Sequence, residues 1–359
     1  MTLLLTNDEV DRLLDMRECL DVFESAYREL GQGIGVTRTV SQLFTRTRHD
    51  ADALYSFKSM DGVVPFLDVA AIRIASEILT WPKDQQGHAR KTRIGAAPGG
   101  RFVGLVLLFS TLTGEPLAIF PDGVIQRMRV GATSGLAAKY LARANASEVA
   151  MLGCGWQAVA QVRAIVAVRK IETVRCFSPN ATRREAFARE MAESTGVNVA
   201  ACASPQDAVK GADVVLCATN TTAPVFFADW IEKGVHLGTV QHAELHPDVF
   251  KAADVLISHY SGRPTVIDSS RGVIQAESTD SVRRAVRAAI GEHALPSLHD
   301  LVLGNVAGRS GPGQVTAFLN FIGLGYQFAA LGALVYRNAC ARGIGRELPT
   351  DWFTEDVNP

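Results

Sequence analysis

The chain has 359 residues, 47% hydrophobic and 20% charged, with a formal net charge of −1. This is ordinary composition for a globular protein, with length enough for two domains. The near-neutral balance, with no long run of Lys or Arg, gives no support to a nucleic-acid or acidic-membrane partner. Small anionic substrates remain open, because a few local arginines can bind one carboxylate whatever the net charge.

The chain opens with two predicted helices. Thr6 and Glu9 are spaced as a capping box, and Leu20, Phe23, Tyr27 and Leu30 recur at helical spacing before Gly31. Short strand-like runs follow at Val40–Thr45, Ala53–Ser59, Val69–Ala75, Phe102–Ser110 and Leu117–Phe120, with turns at Thr113-Gly114 and Asp122-Gly123. Between them Trp81–Gly100, polar and rich in Gly and basic residues, reads as a long loop. From Glu148 the rhythm becomes strand–helix–strand, with apolar runs at Val149–Leu152, Val174–Phe177, Val199–Cys202, Val214–Ala218, His236–Val240 and Val255–Ser258. That alternation predicts a doubly wound parallel sheet, since each parallel strand needs a crossover helix. After about Arg309 the pattern returns to helix, expected to pack back on the N-terminal part. The expected organisation is therefore a Rossmann domain over 129–308 and a discontinuous α+β substrate-binding and dimerisation domain over 1–128 and 309–359.

Val315–Tyr336 carries no charged residue. It is long enough to span a bilayer, but Asn320, Gln327 and three glycines fall within it, so a helix buried in a core or a subunit interface fits better. The six cysteines are scattered without CxxC spacing. The first residues lack the basic region and apolar core of a signal peptide. Together these predict a reduced, cytoplasmic protein without structural zinc.

Gly153-Cys154-Gly155-Trp156-Gln157-Ala158 is a GxGxxA sequence lying between an apolar run and a helical stretch. A second strand ends about 20 residues later, as a dinucleotide-binding unit demands. One glycine makes the tight turn, the next lets backbone approach a pyrophosphate, and the helix N-terminus offers N–H donors. Where NAD enzymes usually place a carboxylate for the ribose, this chain has Ser178, Asn180, Thr182, Arg183 and Arg184. NADP(H) is therefore favoured over NAD(H), the alternative being that both arginines are merely solvated. Thr219 and Asn220, after the fourth strand, and Val240, after the fifth, lie at the sheet edge where ligands bind.

Four stretches resemble the ornithine cyclodeaminase/mu-crystallin family: Thr113–Ala118 with Asp122-Gly123; Arg129–Ser134 running into Ala137–Arg143; the glycine motif; and Gly234–Leu237 ahead of Glu244-Leu245. The resemblance implies a homodimer, substrate bound between the N-terminal domain and the nicotinamide, and redox chemistry at a carbon–nitrogen bond beside a carboxylate. It assigns substrate-carboxylate binding to Arg129, and more loosely to Arg38; a structural or cofactor-phosphate contact is the other reading of Arg129.

Two departures stand out. Where the family's catalytic lysine is expected, on the Val69–Ala75 strand, this chain has Arg73. Arginine can orient a carboxylate but cannot readily release a proton; Lys58 on the neighbouring strand is a candidate substitute, or a solvent-facing residue. The family's loop aspartate is also absent, the loop being Gln241-His242-Ala243. His242, the only titratable group there, is a candidate proton-transfer residue or a solvated one. His242 and His246 straddle a loop with no third ligand apparent, so no metal is expected. The expected function is an NAD(P)H-dependent reductase of an imino acid, or an amino-acid dehydrogenase. A cyclodeaminase and a non-catalytic NADPH-binding protein are the alternatives.

Overall fold

A computed structural model describes residues 1–82, 92–221, 223–262, 265–269, 272–275, 288–290 and 295–356. The first part runs β1 (Thr2–Leu4), α1 (Asn7–Leu13), α2 (Met16–Gly31), β2 (Val36–Thr37), β3 (Ser41–Arg46), β4 (Leu54–Val64), β5 (Val69–Thr80), β6 (Thr92–Ile94), β7 (Val103–Ser110), β8 (Pro116–Pro121) and α3 (Gly123–Leu141). The capping box is formed, Glu9 accepting from the Thr6 backbone at 2.7 Å and Thr6 from Glu9 at 3.3 Å. The core of the loop expected over Trp81–Gly100 lies outside the described residues, but its far side forms β6, antiparallel to the end of β5.

The second part runs β9 (Glu148–Leu152), α4 (Trp156–Val168), β10 (Thr173–Phe177), α5 (Ala181–Thr195), β11 (Asn198–Ala201), α6 (Pro205–Val209), β12 (Val214–Cys217), β13 (His236–Thr239), α7 (Pro247–Ala252) and β14 (Val255–Ser258). It continues through β15 (Thr265–Asp268), β16 (Gly272–Gln275), α8 (Leu298–Leu303), β17 (Thr316–Leu319), α9 (Gly325–Arg342) and β18 (Arg346–Leu348).

One sheet has the all-parallel order β11-β10-β9-β12-β13-β17-β14. Chain order reverses between β9 and β12, which opens a crevice at the strands' C-terminal ends. The other sheet is mixed, in the order β16-β15-β3-β4-β5-β7-β8-β1-β18. Its β5 alternates strictly: Val69, Ala71, Arg73, Ala75, Glu77 and Leu79 are buried, and the residues between them are half-buried. The fold is α/β with a Rossmann sheet, as the strand rhythm predicts.

The expected boundaries shift in three places. Residue 129 lies inside α3, which packs on α4 across the divide. β15 and β16 leave the 129–308 segment and join the mixed sheet, β15 pairing parallel with β3. β17 belongs to the Rossmann sheet, inserted between β13 and β14. The uncharged stretch Val315–Tyr336 is thus a strand followed by a helix start. Its apolarity is explained within one chain, because α9 lies on the buried face of β4 and β5 with Tyr326, Phe328 and Leu331 at most 1% exposed. At the start of α9, a Cβ on Gly325 would fall 2.1 Å from the Asp61 carbonyl carbon, so only glycine allows that approach. Among the described residues no helix is long and apolar enough to cross a membrane.

Candidate active site

The crevice is a cleft of about 1480 Å³ running from the glycine turn along the C-terminal ends of β9, β12, β13 and β17 to α3 and β4. Gly153 has φ +104°, donates to the Phe177 carbonyl at 2.9 Å, and would place a Cβ 2.3 Å from the Ala218 carbonyl. It therefore needs glycine both for its conformation and for its neighbours. A Cβ on Gly155 meets nothing within 4 Å. The space above it is open cleft at the start of α4, where first-turn N–H groups lack helical acceptors.

Two buried amide oxygens in the cleft have no hydrogen-bond partner: Gln157 Oε1, in the first turn of α4, and Asn320 Oδ1, just past β17. Asn320 Nδ2 is held by the Val130 carbonyl and Ser134 Oγ, each at 3.1 Å, which fixes the amide with its oxygen free. An unsatisfied buried acceptor costs about 1–3 kcal/mol. This open cradle with two unfilled acceptors fits a dinucleotide, whose amide groups and hydroxyls are donors.

At the far end, Ser178, Asn180 and Arg183 line the cleft. Asn180 Oδ1 is engaged as the cap of α5, accepting from Arg183 N at 2.9 Å. Arg184 does not line the cleft; it donates to the Ser178 carbonyl at 3.0 Å and lies over the Phe177 ring. Only Arg183 of the two is exposed toward a ligand.

Trp156, Thr219, Asn220 and Val240 also line the cleft, whereas Ala158 is buried beneath it. The loops after β12 and β13 are tied together by Glu244, fully buried, which takes five hydrogen bonds from Thr219, Thr239, Val240 and Gln241. Burial pushes its pKa up, and the bonds from Thr239, Thr219 and Gln241 oppose that. His242 does not line the cleft; its ring packs against Phe321, which does, with centroids 3.9 Å apart. His246 caps α7, accepting from Asp248 N.

The other end of the cleft is cationic. Arg129 on α3 is 6% exposed and donates to two neutral amides, Gln126 Oε1 at 3.3 Å and Gln327 Oε1 at 3.0 Å. Among the described residues no carboxylate pairs with it. Burial, aided by the charge of Arg73, pulls its pKa down to about 10. Arg73, also buried, has a full counter-ion: Asp122 Oδ2 accepts from Nε at 2.7 Å, and a terminal nitrogen lies 2.6 Å from the same oxygen. Glycine at position 104 makes room for that carboxylate. Both guanidiniums flank the Phe328 ring, Arg73 at 5.7 Å and Arg129 at 5.5 Å from its centroid. Arg73 stands behind the cleft wall, whereas Lys58 lines it. Lys58 Nζ lies 3.1 Å from Glu77, which also forms an ion pair with Arg93, Nε lying 2.6 Å from Oε1. Burial lowers the Lys58 pKa despite Glu77. For Glu77 burial works upward, but Lys58 and Arg93 outweigh it and hold the carboxyl below its ordinary value. Arg38 is exposed and paired with Asp61 at 2.8 Å, outside the cleft.

Sequence reasoning did not single out Gln126, Gln327, Asn320, Glu77 or Arg93 as site residues. Their roles depend on elements far apart in the chain, and the only sequence trace was the presence of two amides in an otherwise apolar stretch. Glu244 stands in the quoted Glu-Leu pair, but nothing local shows that it takes five donors.

Fold and cleft together define a dinucleotide-binding protein whose cofactor groove is faced by a buried arginine that, among the described residues, bonds only to amides. Residues 1–343 match the ornithine cyclodeaminase/mu-crystallin family, and the chain belongs to it. An alanine dehydrogenase of Archaeoglobus fulgidus is 26% identical over 97% of this chain and 98% of its own length. A delta(1)-pyrroline-2-carboxylate reductase of Bacillus cereus is 30% identical over 68% of this chain and 74% of its own. The solved delta(1)-pyrroline-2-carboxylate reductase of Thermococcus litoralis, in complex with NADH and L-proline, superposes with a TM-score of 0.78. It is 25% identical and covers 97% of this chain and 100% of its own.

Proposed function

We propose that the protein is an NAD(P)H-dependent oxidoreductase acting at the C–N bond of a 2-imino or 2-amino acid. The observation that carries this is Arg129: a buried guanidinium with only amide partners, opening into the dinucleotide cleft. A buried charge is costly unless paired, and a planar carboxylate is the matching fork. The nicotinamide, when bound, supplies or accepts the hydride at the carbon that bears nitrogen. Gly153, Gly155, Gln157, Thr219, Asn220 and Asn320 would hold the dinucleotide. Arg129 orients the substrate carboxylate, and the Arg73–Asp122 pair sets the wall behind it. On reduction the imine carbon gains hydride and the nitrogen gains one proton. Lys58, which lines the cleft with its pKa lowered by burial, is the proposed donor of that proton.

The finer reading is NADP(H) in preference to NAD(H), supported by Arg183 at the cleft and by the lack of a carboxylate at the end of β10. A homodimer through the outer face of the mixed sheet is supported by its apolar, half-exposed residues, Leu43, Leu105 and Ile267 among them at 43, 39 and 37%.

The test is absorbance at the reduced-nicotinamide band with 2-oxo acids plus ammonia and with cyclic imino acids. Stoichiometric oxidation of the cofactor is expected. Ornithine should give no proline with release of ammonia. Turnover of ornithine with no net redox change, or cofactor affinity with no turnover of any imino acid, would overturn the reading.

A further inference from the structure

The substrate end of the cleft carries more positive charge than one carboxylate balances. Among the described residues, Arg73 and Asp122 cancel, leaving Arg129, Lys58 and Arg93 against the carboxylate of Glu77. At the cleft lining itself Lys58, Arg93 and Arg129 are present and Glu77 lies beneath them, 8% exposed. The other lining cation near this end, Arg127, is neutralised by Asp11 at 2.7 Å. Among the described residues the one acidic group lining the cleft, Glu190, sits on α5 at the dinucleotide end.

The sheet register orders these cations. Met60 is opposite Arg73 and Lys58 is opposite Ala75, so Lys58 is the diagonal neighbour of Arg73 on one face, about 7–8 Å away at Cα. Arg93 lies opposite Leu79, a further step toward the open end of β5, and among the described residues its partner is Glu77 through Nε. Its side chain is 54% exposed and lines the cleft, where a guanidinium can meet a ligand. Moving outward from α3 the order is Arg129, Lys58, Arg93. A substrate carboxylate on Arg129 and its nitrogen near Lys58 send the side chain toward Arg93.

We propose that Arg93 recognises a second carboxylate, so that the preferred substrates are imino acids of dicarboxylates. This rests on the reading of Arg129 above. A positive cleft focuses anions and repels a terminal ammonium, so dicarboxylic substrates rank first, neutral side chains next and diamino acids last.

The test measures kcat/KM with ammonia plus oxaloacetate or 2-oxoglutarate against ammonia plus pyruvate or 2-oxobutyrate. A ratio of at least about fivefold for one dicarboxylate is expected, equivalent to ~1 kcal/mol. Arg93→Glu should bring that ratio to one or below, and Arg93→Gln should bring it near one. If wild-type protein reduces the monocarboxylic imines equally well or better, the inference falls and the imino-acid reading stands. If no imino acid is reduced, that reading falls, and calorimetry on the NADPH-bound protein decides the inference alone. Tighter binding of glutarate or succinate than of butyrate or propionate, lost in Arg93→Glu, supports it; equal binding overturns it.

Discussion

Replacing Arg129 with methionine separates the two halves of the functional argument. In the fold, burial and the neighbouring charge of Arg73 pull its pKa well below the ordinary arginine value, to about 10. At 1.36 kcal/mol per pKa unit, keeping the charged form buried costs about 3 kcal/mol. The folded value lies below the unfolded one, so this penalty is complete below pH 10 and is relieved only as pH rises toward the unfolded value. Arg129→Met removes the charge and keeps a flexible apolar stem beside Phe328. The lost bonds to Gln126 and Gln327 return about 1 kcal/mol each. Gln327 Oε1 still accepts from Leu324 N at 3.1 Å, and Gln126 reaches the cleft and water. The ligand-free variant should therefore be as stable as the parent or about 1 kcal/mol more so. Deleting one member of a buried ion pair would instead cost about 3–5 kcal/mol. Activity should move the other way, kcat/KM falling by about 3 kcal/mol or more, a hundredfold loss. Thermal unfolding and steady-state kinetics on one preparation check both signs. A lower unfolding temperature combined with retained kcat/KM would refute the assignment of an uncompensated, substrate-binding arginine.

Arg183→Ala should weaken NADPH by roughly 1–3 kcal/mol and leave NADH nearly unchanged, read by fluorescence titration; Arg184→Ala, whose guanidinium is engaged with Ser178, should weaken both through the loop. His236 and His259 are fully buried and neutral, each with its pKa pulled by burial to about 3. Because the unfolded chain binds those protons and the fold does not, stability should fall as pH drops from 6.5 toward 3, by about 1.4 kcal/mol per pH unit for each. Urea titrations at several pH values check this, and an unaltered slope in His236→Asn would contradict it. Ile74→Glu with Leu105→Glu, on the outer face of the mixed sheet, should turn a dimer into a folded monomer by light scattering, with unchanged circular dichroism.

Most of the fold was legible because its signals are local. The strand rhythm after Glu148 gave the Rossmann sheet nearly to the residue, and GxGxxA placed the turn, since a positive φ and a crowded Cβ leave a mark on the sequence itself. The insertion of β17 between β13 and β14 was not legible. Thr316–Leu319 is short, and the apolar residues that continue into α9 hide where one element stops. The same limit applies to the site. Arg129 and Lys58 stand out by type, but whether a cation is compensated depends on partners elsewhere in the chain. Arg73 and Asp122 are 49 residues apart and meet only when β5 lies beside β7. Arg38 is only the looser carboxylate candidate in sequence, and folding leaves it on the surface beside Asp61.

The Arg73–Asp122 pair also bears on which reaction the site can run. Cyclodeamination of a diamino acid removes a hydride, lets a second amine attack, expels ammonia and returns the hydride, and each stage moves a proton through a side chain. A guanidinium ion-paired and hydrogen-bonded to one partly buried carboxylate neither releases a proton readily nor has the freedom for that traffic. Asp122 in turn is bound to Arg73 and offers no independent base. The loop after β13 holds His242 against Phe321 rather than at the cleft. Among the described residues the cleft keeps one ammonium, Lys58, steadied by Glu77, which matches the single proton an imine takes up on reduction. The added charge of Arg93 then opposes a diamino acid at the step before chemistry. The same residues that would slow cyclodeamination also disfavour binding its substrate, and both effects point to reduction of an acidic or neutral imino acid.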